Sequence, residues 1–169
     1  MKKTLVLILV LLGAVIAGNS QVLSVSIDDP DGSTNVRDGV NGRIVATIPE
    51  NSLPMFDVVS PRDGWWQIWG DEYWLPDEDQ ARQLSGSRTG YWIHHSVLTI
   101  STRNYGGETL SLHESPNEDS KVVYTFNEEL SLRPIDILGY WVQVKTYDGK
   151  HVGWIEVEWL CGNPLTNCC

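Results

Sequence analysis

Apolar and polar residues alternate along much of this chain from Val22 onward. In Val22–Ile27 the residues Leu-Ser-Val-Ser-Ile place an apolar side chain at every second position, the pattern of a β-strand with one buried face. Outside the first 20 residues, no stretch of ten or more residues has the 3.6-residue period of an amphipathic helix. The pattern therefore predicts an all-β protein.

Residues that favour turns separate the segments that read as strands. The predicted strands are Val22–Ile27, Asn35–Arg37, Arg43–Ile48, Met55–Val59, Trp65–Trp69, Thr109–Leu112, Lys121–Phe126, Leu130–Ile135, Trp141–Tyr147 and His151–Ile155. Tyr147–Lys150 contains Asp-Gly, which accepts positive φ at little cost and predicts a tight hairpin. Many short strands with turns at regular spacing favour small antiparallel β-barrels.

One order of landmarks occurs twice in the chain. The landmarks are Thr34–Gly39, Gly64–Ile68 and Trp92–Leu98 in the first copy, and Leu110–Pro116, Trp141–Val144 and Trp154–Leu160 in the second. We therefore expect two tandem units at 22–98 and 99–161, followed by a Cys-containing tail at 162–169. Thr99–Gly107 is either a linker or the strand that leads into the second unit.

The two copies differ in the segment 70–89, which has no counterpart in the second. It carries Asp71, Glu72, Asp77, Glu78 and Asp79. An insertion in one repeat is expected to be a surface loop, and such loops often carry function. Loop growth without a function is the alternative.

The first 20 residues have the pattern of an export signal. Lys2 and Lys3 precede an apolar stretch, Thr4–Ile16, and small residues follow at Ala17, Gly18 and Ser20, as in a cleaved signal peptide. The stretch is shorter than the ~20 residues of a membrane span. We expect cleavage between Ala17 and Gln21 and an exported protein that is periplasmic, cell-surface or secreted. An uncleaved N-terminal anchor is the alternative.

The formal net charge of the chain is −10. Cleavage would remove Lys2 and Lys3 and bring the charge to −12. Nucleic acid and anionic membrane surfaces are poor partners for such a protein, because binding them requires clustered Lys and Arg. A cationic peptide, a neutral glycan or a basic protein fits better, although the acidity could also serve solubility alone.

All three cysteines lie at the end of the chain, at Cys161, Cys168 and Cys169. Disulfides persist in exported proteins, so we expect Cys161 to pair with either Cys168 or Cys169, which leaves one further thiol. The spacing lacks the two Cys/His pairs of a structural zinc site.

These landmarks resemble the bacterial SH3-like (SH3b) domain. That family reads roughly Leu-Asn-Val-Arg-Ser-Gly-Pro, then Gly-Trp-Trp-Lys-Val, then Gly-Trp-Val and a closing Leu. The matching positions are Asn35-Val36-Arg37, Gly39, Trp65, Ile68, Trp92-Ile93 and Leu98 in the first unit, and Leu110, Leu112, Pro116, Trp141, Val144, Gly153-Trp154-Ile155 and Leu160 in the second. The second opening departs from the pattern, because Ser111 replaces Asn and His113 replaces Arg.

The resemblance implies two small five-stranded barrels similar to eukaryotic SH3 domains. Members of the family often occur as targeting modules on cell-wall hydrolases, where they are thought to bind peptidoglycan. The resemblance therefore implies a non-catalytic module that recognises peptidoglycan, or a peptide or protein of the cell envelope. The NlpC/P60-type peptidase that often accompanies such modules needs a Cys embedded in the chain, and none is present here.

The aromatic residues give the strongest indication of a binding site. Trp65, Trp92, Trp141 and Trp154 recur in both copies, which favours a role in the core. A small barrel cannot bury every remaining ring, and exposed Trp and Tyr offer flat apolar faces to sugars or peptide side chains. The candidate ligand contacts are Tyr73, Trp74 and Tyr91, followed by Trp66 and Trp69.

No other chemistry is well supported by the sequence. Adjacent side chains on a strand point to opposite faces, so His94-His95 is a poor metal site. No Gly-x-Ser-x-Gly motif or phosphate-binding glycine loop occurs, and we expect neither an enzyme nor a cofactor. A second hypothesis is an interaction or inhibitor protein that docks a basic partner through the acidic segment 70–89.

Overall fold

The computed structural model describes residues 21–49, 53–165 and 168 of the chain. Within these residues the strands are β1 Leu23–Ile27, β2 Thr34–Arg37, β3 Ile44–Ile48, β4 Met55–Arg62, β5 Trp65–Ile68, β6 Glu72–Leu75, β7 Gln80–Gln83, β8 Tyr91–His94, β9 Leu98–Thr102, β10 Leu110–His113, β11 Val122–Phe126, β12 Ser131–Leu138, β13 Trp141–Thr146, β14 Val152–Glu156 and β15 Leu160–Cys161. Short 3-10 helices span His95–Val97 and Val157–Trp159. The predicted all-β class is confirmed.

The predicted signal peptide, residues 1–20, lies outside the described residues. In the described part of the chain, no helix is both long and apolar enough to cross a membrane.

The strand pairings on the two sides of β9 follow one pattern. We call residues 21–97 the N-terminal half and residues 103–165 the C-terminal half. The antiparallel pairs β2–β3, β2–β8, β4–β5, β5–β8 and β1–β4 of the first half correspond to β10–β11, β10–β14, β12–β13, β13–β14 and β9–β12. The order of landmarks in the sequence thus reappears as an order of strand pairs.

Strand β9 lies between the two halves and pairs with strands of both. Its first two residues pair with β1, and its last three pair with β12 and β15. One continuous path of paired strands therefore runs through both halves, and the prediction of two separate barrels is not confirmed. The start of the segment Thr99–Gly107 is strand rather than linker, and β9 crosses the predicted boundary between residues 98 and 99.

Strands β1 and β15 meet beside β9. Ser101 pairs with both β12 and β15, so β12 and β15 lie on opposite edges of β9. Strand β1 also pairs with β9 on the edge away from β12, which places it beside β15. The residue after β15 is Gly162, and its Cα lies so close to the backbone of Ser24 and Val25 that an added Cβ would overlap both. Glycine is therefore required where the chain passes the end of β1.

Arg133 of β12 ties the two halves together. Its guanidinium Nη1 donates hydrogen bonds to the backbone oxygens of Asp28 and Leu98, both at 2.8 Å. The guanidinium also lies 4.2 Å from the ring centroid of Tyr147, whose hydroxyl donates to Thr99 Oγ1 at 2.8 Å. Burial raises the pKa of Tyr147 to about 12, so the phenol keeps the proton that this bond requires.

The residue that follows each recurring tryptophan belongs to the buried core. Trp66, Val142, Ile93 and Ile155 are at most 2% exposed, because alternation along the strand turns them inward. Trp65 and Trp92 lie on the opposite face of the sheet, where Arg37 and Arg62 cover their rings at 5.6 and 5.1 Å.

Trp65 and Trp92 are buried, as predicted, although they lie on the face opposite the main core cluster. For Trp141 and Trp154 the same prediction is wrong, since both are only partly buried. His113 stands where the first half has Arg37, and the shorter side chain covers less of the tryptophan face. The indole rings of the C-terminal half are therefore reachable from solvent.

The acidic insertion is a β-hairpin, which corrects the predicted surface loop. Strands β6 and β7 pair with each other, and Trp74 of β6 pairs with Met55 of β4. Leu75 and Leu84 are buried and anchor the hairpin to the sheet. The run Glu-Tyr-Trp-Leu that forms β6 is rich in residues that favour strands.

A disulfide joins Cys161 to Cys168, with their Cα atoms 5.6 Å apart. This is one of the two pairings that the sequence left open, and Cys169 lies outside the described residues. The bridge holds Cys168 beside β15.

Candidate functional site

Three of the five candidate aromatic residues line one groove in the N-terminal half. This aromatic groove has a volume of about 320 Å³. Its lining residues are Ser24, Met55, Phe56, Asp57, Trp69, Glu72, Tyr73 and Trp74. The groove lies where the inserted hairpin meets β4, so the insertion supplies one of its walls.

The backbone explains why these rings face solvent. Trp69 follows β5, and Gly70 adopts positive φ immediately after it, so the chain turns away and leaves the indole 59% exposed. Trp74 lies on β6 and is 40% exposed. Tyr73 packs on Phe56 with a centroid distance of 5.4 Å and is therefore only partly exposed in the groove.

The charged groups of the aromatic groove are the carboxylates of Asp57 and Glu72, which accept hydrogen bonds. Asp57 Oδ1 accepts from Ser24 Oγ at 2.5 Å, and Glu72 Oε2 accepts from Gln83 Nε2 at 2.9 Å. The residues that line this groove include no Lys or Arg. The groove therefore suits a ligand that offers flat apolar faces together with hydroxyl or ammonium donors.

Trp66 and Tyr91, the other two candidates, are not exposed. Trp66 is 0% and Tyr91 is 6% exposed, which removes both as ligand contacts. Trp66 Nε1 donates to the backbone oxygen of Pro134 in β12 at 3.1 Å, so its ring fills space between the halves. Tyr91 lies opposite Ile68 on adjacent inner strands. The prediction treated each barrel alone and missed the space that their contact creates.

Two further grooves occupy equivalent places in the two halves, and the sequence analysis missed them. We call them the paired grooves. The one in the N-terminal half, of about 210 Å³, includes Thr34, Asn35, Arg37, Trp65, His94 and Val97, and the one in the C-terminal half, of about 260 Å³, includes Leu110, Ser111, His113, Trp141, Glu156 and Trp159. A comparison of equivalent positions in the two sequence copies could have found them, because the lining positions recur while the residue types at them differ.

The paired grooves differ in charge. In the first, the Arg37 guanidinium donates to the backbone oxygen of Gly42 at 2.7 Å. In the second, His113 packs edge-on against Trp141 at 5.5 Å, and Glu156 faces Glu118. Burial, and then the neighbouring carboxylates, raise the pKa of Glu156. The second groove is lined by two carboxylates, Glu118 and Glu156, and by no Lys or Arg, whereas the first holds the Arg37 cation together with Asp29 and Asp31.

His94 and His95 lie closer together than strand alternation predicts. Their ring centroids are 4.6 Å apart, because β8 ends at His94 and a 3-10 helix begins at His95. His95 Nδ1 is buried without a hydrogen-bond partner. Across residues 21–49, 53–165 and 168, no group of three His, Cys, Asp or Glu side chains is placed to hold a metal ion.

Stability is expected to fall as the pH drops below about 6.5, the ordinary pKa of histidine. Burial lowers the pKa of His95, and the charges of His94, Lys145 and Arg133 act in the same direction. Burial also lowers the pKa of His94. A histidine that binds protons less readily when folded favours unfolding once the unfolded chain protonates.

Urea unfolding at pH 7.5 and pH 5.5 measures this effect. The variant His95→Gln should lose less stability between the two pH values than the unaltered chain. An equal loss in both proteins would contradict the assignment to His95.

Comparison with known proteins identifies one part of the chain. The solved structures of NlpC1 and NlpC2 from Trichomonas vaginalis are similar to it with TM-scores of 0.31 and 0.32 and sequence identities of 11% and 10%. The similarity covers 90% and 84% of this chain and 50% and 48% of those structures, so the chain spans about half their length. No curated protein matches the sequence. Residues 108–160 match the family model of the bacterial SH3 domain, and this part of the C-terminal half is therefore a bacterial SH3 domain.

Proposed function

We propose that this protein is an exported, non-catalytic module that binds a saccharide-containing ligand of the cell envelope, such as peptidoglycan, through the aromatic groove. The bacterial SH3 domain at residues 108–160 supports a role at the cell wall. The Cys161–Cys168 disulfide supports a location outside the reducing cytoplasm. The apolar stretch Thr4–Ile16 after Lys2 and Lys3 supports export.

The observation that carries the proposal is the pair of exposed indoles, Trp69 and Trp74, in one groove. Large indole surfaces are rarely left in water without a function when several converge. A sugar ring presents a flat apolar face to such a surface, while its hydroxyls donate to acceptors such as Asp57 and Glu72. Recognition of this kind needs no charge on the ligand.

Sedimentation with purified peptidoglycan tests the proposal. The double variant Trp69→Ala/Trp74→Ala should bind about tenfold more weakly or worse, because both changes remove central aromatic contacts. Tyr140→Ala is the matched control, since Tyr140 is an aromatic residue of the C-terminal half that is 77% exposed. This control should bind like the unaltered protein.

Two results would contradict the proposal. Equal binding by the double variant and the unaltered protein would remove the aromatic groove as the site. No binding by any of the three proteins would remove peptidoglycan as the ligand.

A second function is favoured by the acidic hairpin. Asp77, Glu78 and Asp79 are exposed at its tip, and Arg82 is paired with Glu78 at 2.7 Å, which leaves an excess of negative charge. A basic protein partner could dock there. Docking through charge should weaken steeply with added salt, whereas binding to the aromatic groove should change little.

A further inference from the structure

We propose that the outer edge of β11, Val122–Phe126, is a strand-addition site for an extended peptide segment that carries Lys or Arg. In this mode the peptide pairs its backbone with the edge of a sheet, and the side chains of that edge select alternate peptide residues. The site lies in the C-terminal half and is separate from the aromatic groove.

The pairing order leaves β11 at one end of the strand path. Among the described residues β11 pairs with β10 alone. Its sequence, Val-Val-Tyr-Thr-Phe, has no charged residue and no proline. Proteins usually protect an edge of this kind with charges, proline or a covering segment, because unpaired backbone groups invite another strand.

The equivalent edge strand of the N-terminal half has such a cover. Strand β3 lies at the other end of the path. A Cβ added at Gly86 would lie 3.5 Å from the backbone oxygen of Val45 in β3, and Thr89 Oγ1 donates to the backbone oxygen of Asp38 at 2.7 Å. The covering segment belongs to the insertion 70–89.

The C-terminal half has a short turn at the corresponding place. Strands β13 and β14 are joined by residues 147–151, which place the His151 ring on the Tyr124 side chain but are too few to form a hairpin like β6–β7. The insertion therefore covers β3 and has no counterpart that covers β11. The residues of β3 and β11 have the same pattern of burial, so the difference between the two strands lies at the backbone edge, which the insertion approaches at Val45 of β3.

The side chains of β11 form a partly exposed apolar row. Tyr124 stacks on His151 with a centroid distance of 4.0 Å and on Phe126 at 5.6 Å. Val122, two residues before Tyr124, is 45% exposed. Alternate residues of an added strand would contact this row, because side chains alternate between faces with a period of two.

The charged residues on either side of β11 indicate which kind of peptide the strand would bind. Glu118 and Asp119 precede β11, and Glu128 and Glu129 follow it, all of them exposed, with Lys121 as the one nearby cation in these flanks. A second copy of the chain would bring the same carboxylates and a net charge of −10. A segment with Lys or Arg near both ends complements the edge instead.

The probe for this site is a synthetic heptapeptide, Lys-Thr-Val-Thr-Val-Thr-Lys, added to the full exported chain. The expected result is a change in the ¹⁵N amide shifts of Val122–Phe126 and slower hydrogen exchange there, because an added strand occupies free backbone groups. The same peptide N-methylated at alternate residues should not bind, since it lacks the donors.

Two matched variants separate β11 from β3. Thr125→Lys places a cation on β11 and should weaken binding of the basic peptide by about tenfold. Thr47→Lys is the control, because Thr47 is exposed at the corresponding position of β3, and it should leave binding unchanged. Trp69→Ala/Trp74→Ala should also bind the heptapeptide normally, which separates this site from the proposed function.

Several results would overturn the proposal. One is an equal loss of peptide affinity in Thr125→Lys and Thr47→Lys, and another is equal affinity for the N-methylated and unmodified peptides. The others are amide shift changes confined to the aromatic groove, and no binding of the heptapeptide at millimolar concentration. Concentration-dependent dimerisation that protects the β11 amides would assign the edge to a second copy and would reject the basic peptide.

Discussion

Replacing Trp66 with alanine is expected to lower the free energy of unfolding by about 3–5 kcal/mol, the usual range for a fully buried tryptophan. Trp66 is 0% exposed, and its ring lies against both the core of the N-terminal half and β12. Its indole N–H is also hydrogen-bonded to Pro134. The substitution therefore leaves a cavity and an unpaired buried carbonyl at the contact between the halves.

Urea unfolding followed by far-UV circular dichroism measures this loss. Trp66→Phe keeps most of the ring but leaves the Pro134 carbonyl unpaired, which should cost about 1–3 kcal/mol. Trp69→Ala, an exposed tryptophan three residues away, should change stability by no more than about 0.5 kcal/mol. Equal losses for Trp66→Ala and Trp69→Ala would show that Trp66 does not occupy the core.

Gly162→Ala is expected to have the second largest effect, about 1–3 kcal/mol or more, as in other overpacked sites. The new methyl group would overlap backbone atoms of Ser24 and Val25 in β1. Backbone atoms of a paired strand cannot move aside as the end of a flexible side chain could. The chain after β15 would have to leave β1, and the pairing of Leu160 and Cys161 with β9 would weaken.

Gly39→Ala is the matched control for this change. A Cβ at Gly39 meets no atom within 4 Å, so its effect should stay within about 0.5 kcal/mol. The measurement is thermal unfolding with the Cys161–Cys168 disulfide intact. Equal midpoints for Gly162→Ala and Gly39→Ala would contradict the close approach of Gly162 to β1.

The hydrophobic pattern was sufficient to predict most strands because each has one buried face. The bounds predicted for β1, β3 and β11 differ from those observed by one residue. Strands β4 and β12 are longer than predicted, since β4 continues through Pro61 to Arg62 and β12 continues from Ile135 to Leu138. The register shifts near Pro61 and Pro134, and such irregularities accommodate a residue that lacks a backbone donor.

The candidate site was predictable only where exposure depends on local backbone. Trp69, Tyr73 and Trp74 adjoin the insertion, and the absence of an equivalent segment in the second copy pointed to them. The burial of Trp66 depends on Pro134, 68 residues later in the chain. Contacts of this kind require the docking of both halves and leave no periodic signal in the sequence. The paired grooves each lie within one half, so a comparison of equivalent positions in the two copies could have found them.

The sharing of β9 limits how this architecture can be inherited. A module with its own two terminal strands can be copied, moved or lost by recombination without harm to its neighbour. Here a cut between Thr99 and Ile100 leaves each half only two or three residues of β9, and a cut elsewhere in Leu98–Thr102 also removes pairs from β1, β12 or β15. The two halves are therefore expected to be gained and lost together as one genetic unit.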